Sequence, residues 1–127
     1  QPLLLLAKEG EAFYRTEAIK TLGGLGDPKT FEPLVALLAD ESPSVRSAAA
    51  EGLGNLRDQR AVDALIPLLR DKDVTVKASA AAALGVLADR RAVGPLMELL
   101  TDESEGVRNI AAEALQRLGM DRPAQRE

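Results

Sequence analysis

The chain has no cysteine, no histidine and no tryptophan. Without cysteine there is no disulfide frame, no thiolate nucleophile and no Cys-ligated zinc. Without histidine there is no imidazole base and no His-ligated metal. Together these absences remove most enzyme chemistries, and the expectation is a chain without catalytic residues, metal or cofactor. Aromatics are as scarce: Phe13, Tyr14 and Phe31 are all there are in 127 residues. A core must then be built from Leu, Ala and Val. Basic excess is missing as well. The net charge is −4 and both halves are mildly acidic, which argues against a nucleic-acid footprint. The apolar opening Pro2-Leu3-Leu4-Leu5-Leu6-Ala7 falls far short of the ~20 residues that span a bilayer and has no basic lead-in. No membrane partner is expected, and a cytoplasmic setting fits.

What is present is a repeat. Residues 45–75, shifted forward by 31, match residues 76–106 at 14 of 31 positions, including Leu53/Leu84, Gly54/Gly85, Asp58/Asp89, Leu65/Leu96 and Asp71/Asp102. Residues 14–44 follow the same template. Helix formers dominate and β-branched runs are absent, so the fold class is all-α. Within each copy the apolar residues follow a 3.6-residue period. The first-helix stripes are Tyr14, Ala18, Leu22, Leu25; then Val45, Ala49, Leu53, Leu56; then Val76, Ala80, Leu84, Leu87; then Val107, Ala111, Leu115, Leu118. The second-helix stripes are Phe31, Leu34, Leu37, Leu38; then Val62, Leu65, Leu68, Leu69; then Val93, Leu96, Leu99, Leu100.

One array over 1–127 is the expected organisation. It comprises a half repeat at 2–9, full repeats at 14–44, 45–75 and 76–106, a half repeat at 107–118 and a polar tail at 119–127. One copy cannot bury enough apolar surface to order itself, so stability must come from stacking. The recurring Gly23, Gly54 and Gly85 mark a common helix end or a close backbone approach. Asp27, Asp58 and Asp89 are expected to cap second helices, and Ser42 a first helix. Pro33 and Pro95 sit in a first turn, but Pro67 lies deeper and should interrupt its helix. The exposed Leu3–Leu6 edge suggests self-association through the ends of the array.

The Leu-Gly-x-Leu end of the first helix, the Asp that starts the second and the 31-residue period resemble the HEAT-like repeats named after phycobilisome lyases. That resemblance implies a right-handed α-solenoid with the second helices on its inner, concave face. It also implies a ladder of an Asp with a basic residue six positions later: Asp40/Arg46, Asp71/Lys77 and Asp102/Arg108, with Glu9 and Arg15 in the first copy. Relatives include bilin lyases and deoxyhypusine hydroxylase, a di-iron enzyme with His-Glu ligands. The absence of histidine excludes the iron site.

On the second helices, Lys29, Arg60 and Arg91 share one register, Glu32 and Asp63 the register one turn on, and Pro67 and Glu98 the next, with Arg70 nearby. A basic row beside a broken acidic row is what a peptide- or protein-binding groove shows. Pairs at i,i+3 such as Arg60–Asp63 are the alternative use of these charges. The functional expectation is a non-catalytic protein-binding scaffold. A bilin lyase subunit or bilin-handling chaperone, and a structural spacer in a larger protein, are the alternatives.

Overall fold

In the computed structural model, residues 12–25 and 28–119 are described. The half repeat at 2–9, Glu9, the Leu3–Leu6 edge, Asp27 and the tail beyond Gly119 lie outside them, as do the side chains of Leu22, Gly23 and Leu25. The described chain is an α-solenoid of two helix rows, without strands among the described residues. Long helices form the first row: α1 (Ala12–Leu25), α3 (Pro43–Leu56), α5 (Val74–Leu87) and α7 (Glu105–Arg117). Short ones form the second: α2 (Phe31–Leu37), α4 (Ala61–Leu65) and α6 (Val93–Glu98). Turns of 3-10 helix extend the short helices, at Pro28–Thr30, Ile66–Arg70, Arg90–Ala92 and Leu99–Thr101. Along the first row α1 packs on α3, α3 on α5 and α5 on α7.

The apolar stripes explain the core. Val45, Ala49, Leu53, Val76, Ala80, Leu84, Val107 and Ala111 are wholly buried, and so are Leu34, Val62, Leu65 and Leu96 on the second row. Two stripe members are exposed instead. Tyr14 is 55% and Leu100 38% exposed. Both belong to outer repeats. Leu69, in the register of Leu100 but one repeat inward, is buried.

Helix starts use the caps unevenly. Asp73 and Ser104 accept hydrogen bonds from the amides of Val76 and Val107. Ser42 occupies the cap position of α3, ahead of Pro43, but its hydroxyl caps nothing; its amide instead donates to Asp40 at 2.9 Å. Asp89 caps the turn that leads into α6 by accepting from the Arg91 amide. Asp58 accepts from the Arg60 amide at 2.9 Å, while the cap position of α4 itself is Arg60. Asp58 therefore closes a turn ahead of the helix rather than capping its first residue.

The glycines set the spacing of the first row. A Cβ on Gly54 would lie 3.0 Å from the Cβ and 3.1 Å from the Cα of Ala83, and one on Gly85 3.0 Å from the Cα of Ala114. Both sit in the last turn of their helices, so end and close approach coincide. Past that turn the chain turns left-handed, at Arg57 (φ 56), Ala88 (φ 53) and Gly119 (φ 86). In the second row, α4 stops at Leu65 and the chain runs as 3-10 helix through Pro67. The equivalent α6 continues to Glu98, at the register of Pro67. Proline cannot donate the α-helical bond and crowds the turn before it, which accounts for the earlier switch.

Candidate functional site

Most polar side chains of the second row project into solvent. Lys29, Glu32, Arg60, Asp63, Pro67, Arg70, Arg91 and Glu98 are all exposed. The structure brings several together across neighbouring helices. Arg91 reaches back one repeat to Asp63 at 3.0 Å, and Arg70 reaches forward to Glu98 at 3.3 Å. Arg91 also bonds Asp89 at 2.9 Å and the Gln59 carbonyl at 3.3 Å. Arg60 turns to Asp58 at 2.7 Å and lies 4.1 Å above the Phe31 ring, a cation–π contact. The i,i+3 pair Arg60–Asp63 does not form: the guanidinium is held by Asp58 and Phe31, and the carboxylate by Arg91. Hydrogen bonds from the Arg91 side chain and amide hold the Asp89 carboxyl down to about 2. The Arg60 side chain and amide likewise lower that of Asp58.

A second set of charges sits between the rows. Arg46 grips Asp71 with two guanidinium nitrogens, at 2.9 and 3.1 Å, and donates to the Asp40 carbonyl at 2.8 Å. Arg15 meets Asp40 at 3.1 Å and Lys77 meets Asp102 at 2.7 Å. Arg108 donates to the Asp102 carbonyl at 2.7 Å. The carboxylate partner of Arg15, Arg46 and Lys77 is thus 25 residues ahead, at the end of the same copy. The six-residue pairs Asp40/Arg46 and Asp102/Arg108 meet only through the acid's backbone carbonyl. Asp71 gives its carboxylate to Arg46 rather than Lys77. Side chains of these rungs are only 13–17% exposed. Each acid also accepts a backbone amide two residues on, from Ser42, Asp73 and Ser104. Burial pushes the Asp71 carboxyl up, but the Arg46 hydrogen bonds, the Asp73 amide and the nearby charges of Arg46 and Lys72 outweigh it, leaving it below its ordinary value. Lys77 has one ammonium where Arg46 has a fork, so its rung is a single bond.

The first row has an outer face that the charge pattern of the second helices does not reveal. On α5, Val74, Ala78, Ala82 and Val86 recur every fourth residue; Val74 and Ala82 are exposed, Ala78 and Val86 are half-buried, and Ala78 also packs against the core. Ala78, Ala82 and Val86, with Glu51, Asn55, Thr75 and Ile110, border a shallow recess of about 340 Å³. The hydroxyls of Ser47 and Ser79 hydrogen bond between α3 and α5 beside it. The four-residue spacing was readable in the sequence, but a second apolar line on one helix is hard to tell from a wider core stripe.

A family model described as HEAT repeats matches residues 1–85 and 62–126. No curated protein matches the chain. Among solved structures, human deoxyhypusine hydroxylase in complex with glycerol is 25% identical with a TM-score of 0.77, covering 93% of this chain and 42% of that one. The CpcE–CpcF complex of phycocyanin lyase from Nostoc sp. PCC7120 is 28% identical with a TM-score of 0.77, covering 85% of this chain and 45% of that one. A designed armadillo repeat protein in complex with the peptide (KR)4 is 24% identical with a TM-score of 0.69, covering 93% and 68%, a likeness of fold. The chain therefore spans less than half the length of the two natural proteins. Among the described residues no helix is long and apolar enough to cross a membrane, and no three metal-ligating side chains converge.

Proposed function

Because the chain belongs to the HEAT-repeat family, we propose that it is a non-catalytic scaffold that receives a protein or peptide partner along the second-helix row. The supporting observation is the set of exposed ion pairs that cross from helix to helix, Arg91–Asp63 and Arg70–Glu98. Exposed pairs contribute little to stability, so a partner's charges can replace them at small cost. Their regular placement offers an elongated partner both signs of charge in a fixed order. Lys29, Glu32, Arg60 and Pro67 extend the same strip. The right-handed superhelix and the concave position of this row are part of the proposal, as is the division into repeats at 14–44, 45–75 and 76–106.

The test is affinity capture with the wild-type chain and with the Lys29→Glu/Arg60→Glu/Arg91→Glu variant. Loss of a captured partner from the variant supports the strip. A partner held equally by both removes it and leaves the scaffold reading standing.

The likeness to the phycocyanin lyase complex favours one second reading, a bilin lyase subunit or bilin-handling chaperone. It requires a shift in visible absorbance when the chain is mixed with a linear tetrapyrrole and a second repeat subunit. An unchanged spectrum rules it out. A chain that binds nothing along this row is a spacer.

A further inference from the structure

The recess on the opposite row supports a second surface, independent of the reading above. Its floor is α5, where Ala82 is exposed and Ala78 and Val86 are half-buried. A folded chain gains nothing in stability from apolar surface held in water. Both neighbours in the row carry polar groups at the same registers. On α3 these are Glu51 and Asn55; on α7 they are Glu105, Asn109 and Glu113, all exposed. The basic residues of α3 and α5 turn elsewhere: Arg46 is occupied by Asp71 and Lys77 by Asp102. Arg117 stands at the far end of α7, its stem near Gly85. The result is an apolar trough with a carboxylate on either rim.

We propose that this trough docks one amphipathic helix of a partner, apolar face down, with lysine or arginine on both flanks. Dimensions favour a helix. The α5 floor from Thr75 to Val86 runs about 16 Å at the helical rise. From α3 to α7 is two helix spacings, roughly 16–20 Å, which admits the ~10–12 Å width of one helix. The small Ala78 and Ala82 let its backbone come close. An extended peptide would find no sheet edge to pair with on this surface. Glu51 on one rim, and Glu105 and Glu113 on the other, select basic flanks over acidic ones.

The experiment is a fluorescence-anisotropy titration of the whole chain with a labelled synthetic helix of leucine and lysine, the leucines forming one stripe. A companion peptide keeps the leucines and replaces every lysine by glutamate. The expected result is saturable one-to-one binding of the lysine peptide, at least tenfold weaker binding of the glutamate peptide, and a marked loss with added salt. Ala82→Lys, at an exposed helical position, should leave the melting temperature unchanged and weaken the lysine peptide at least tenfold. Glu51→Gln/Glu113→Gln should weaken it less and flatten the salt dependence. Arg60→Glu/Arg91→Glu, on the other row, should not weaken it. Non-saturating binding, equal binding of the two peptides, or full binding by Ala82→Lys would each overturn the proposal. Loss of binding in Arg60→Glu/Arg91→Glu alone would also overturn it and move the helix to the second row. None of these outcomes except the last bears on the second-row reading.

Discussion

The first and second helix rows share one sequence period but distribute their physics differently. First-row helices are long and continuous, and they touch through glycine and alanine at distances that leave no room for another methyl group. Second-row helices are short, pass between α-helical and 3-10 turns, and carry their polar residues into solvent. Ion pairs follow the same division. Those that tie a first-row helix to the end of its own repeat are mostly buried, and Arg46 and Arg108 also bond the Asp carbonyl of the repeat before, whereas the ion pairs on the second row are exposed. Stacking is thereby assigned to the first row and the space between the rows, leaving the second row's outer surface free to vary. Pro67 illustrates that freedom. A proline in the middle of a tightly packed first-row helix would break the stack, yet on the second row it only moves the switch to 3-10 geometry.

Experiments that place equivalent changes on the two rows test this division. Gly54→Leu should have the largest effect. It forces α3 and α5 apart at Ala83 and should cost about 3 kcal/mol or more, since overpacking that moves backbone exceeds the usual range. Chemical denaturation reads this directly, and a change below ~1 kcal/mol would show that the row can slide.

Arg46→Ala should come next, at about 1.5–3 kcal/mol, because it strips hydrogen bonds from a mostly buried carboxylate. Arg70→Ala, at an 81%-exposed side chain, should fall within ~0.5 kcal/mol. Similar losses for the two would erase the distinction between buried and exposed pairs.

Acid should weaken the chain through the depressed carboxyls. Asp71, Asp89 and Asp102 all lie below their unfolded values in the folded chain. A lowered folded value means the stabilisation is complete above the unfolded value near ~4 and is lost as pH falls through the folded one. Melting temperature should therefore decline from about pH 4 towards pH 2. Asp71→Asn should reduce the slope in that window, and an unchanged slope would remove Asp71 from the acid response.

Smaller effects are expected at the helix ends. Ala88→Gly should stabilise by about 0.5–1 kcal/mol, because alanine pays a steric penalty in the left-handed conformation that glycine avoids. Destabilisation would mean that the Ala88 methyl is needed for packing. Pro67→Ala should change stability by less than ~0.5 kcal/mol while carrying α4 further, towards the length of α6. Carbon chemical shifts at residues 66–68 would report the extension, and unchanged shifts would show that proline is not the cause of the switch.

Local pattern alone determined a good deal here. The 31-residue period, the all-helical composition and the stripes from Val45 to Leu118 follow from 3.6-residue spacing and helix-stop residues, which act within a few positions of themselves. The missing histidine and cysteine exclude imidazole and thiolate chemistry from these residues directly. Tertiary placement decided the rest. Arg46 has an acid six residues behind it and another 25 ahead, and only the offset between stacked helices chooses which carboxylate it grips. Asp63 had a partner at i−3 in sequence but pairs with Arg91 because α4 and the turn before α6 lie side by side. Arg57 and Ala88 give no sign in their side chains of a left-handed backbone, which is imposed by closing each first helix onto its second; only Gly119 announced it. The trough over α5 likewise depends on what flanks that helix, since an apolar line becomes a recess only between two polar neighbours.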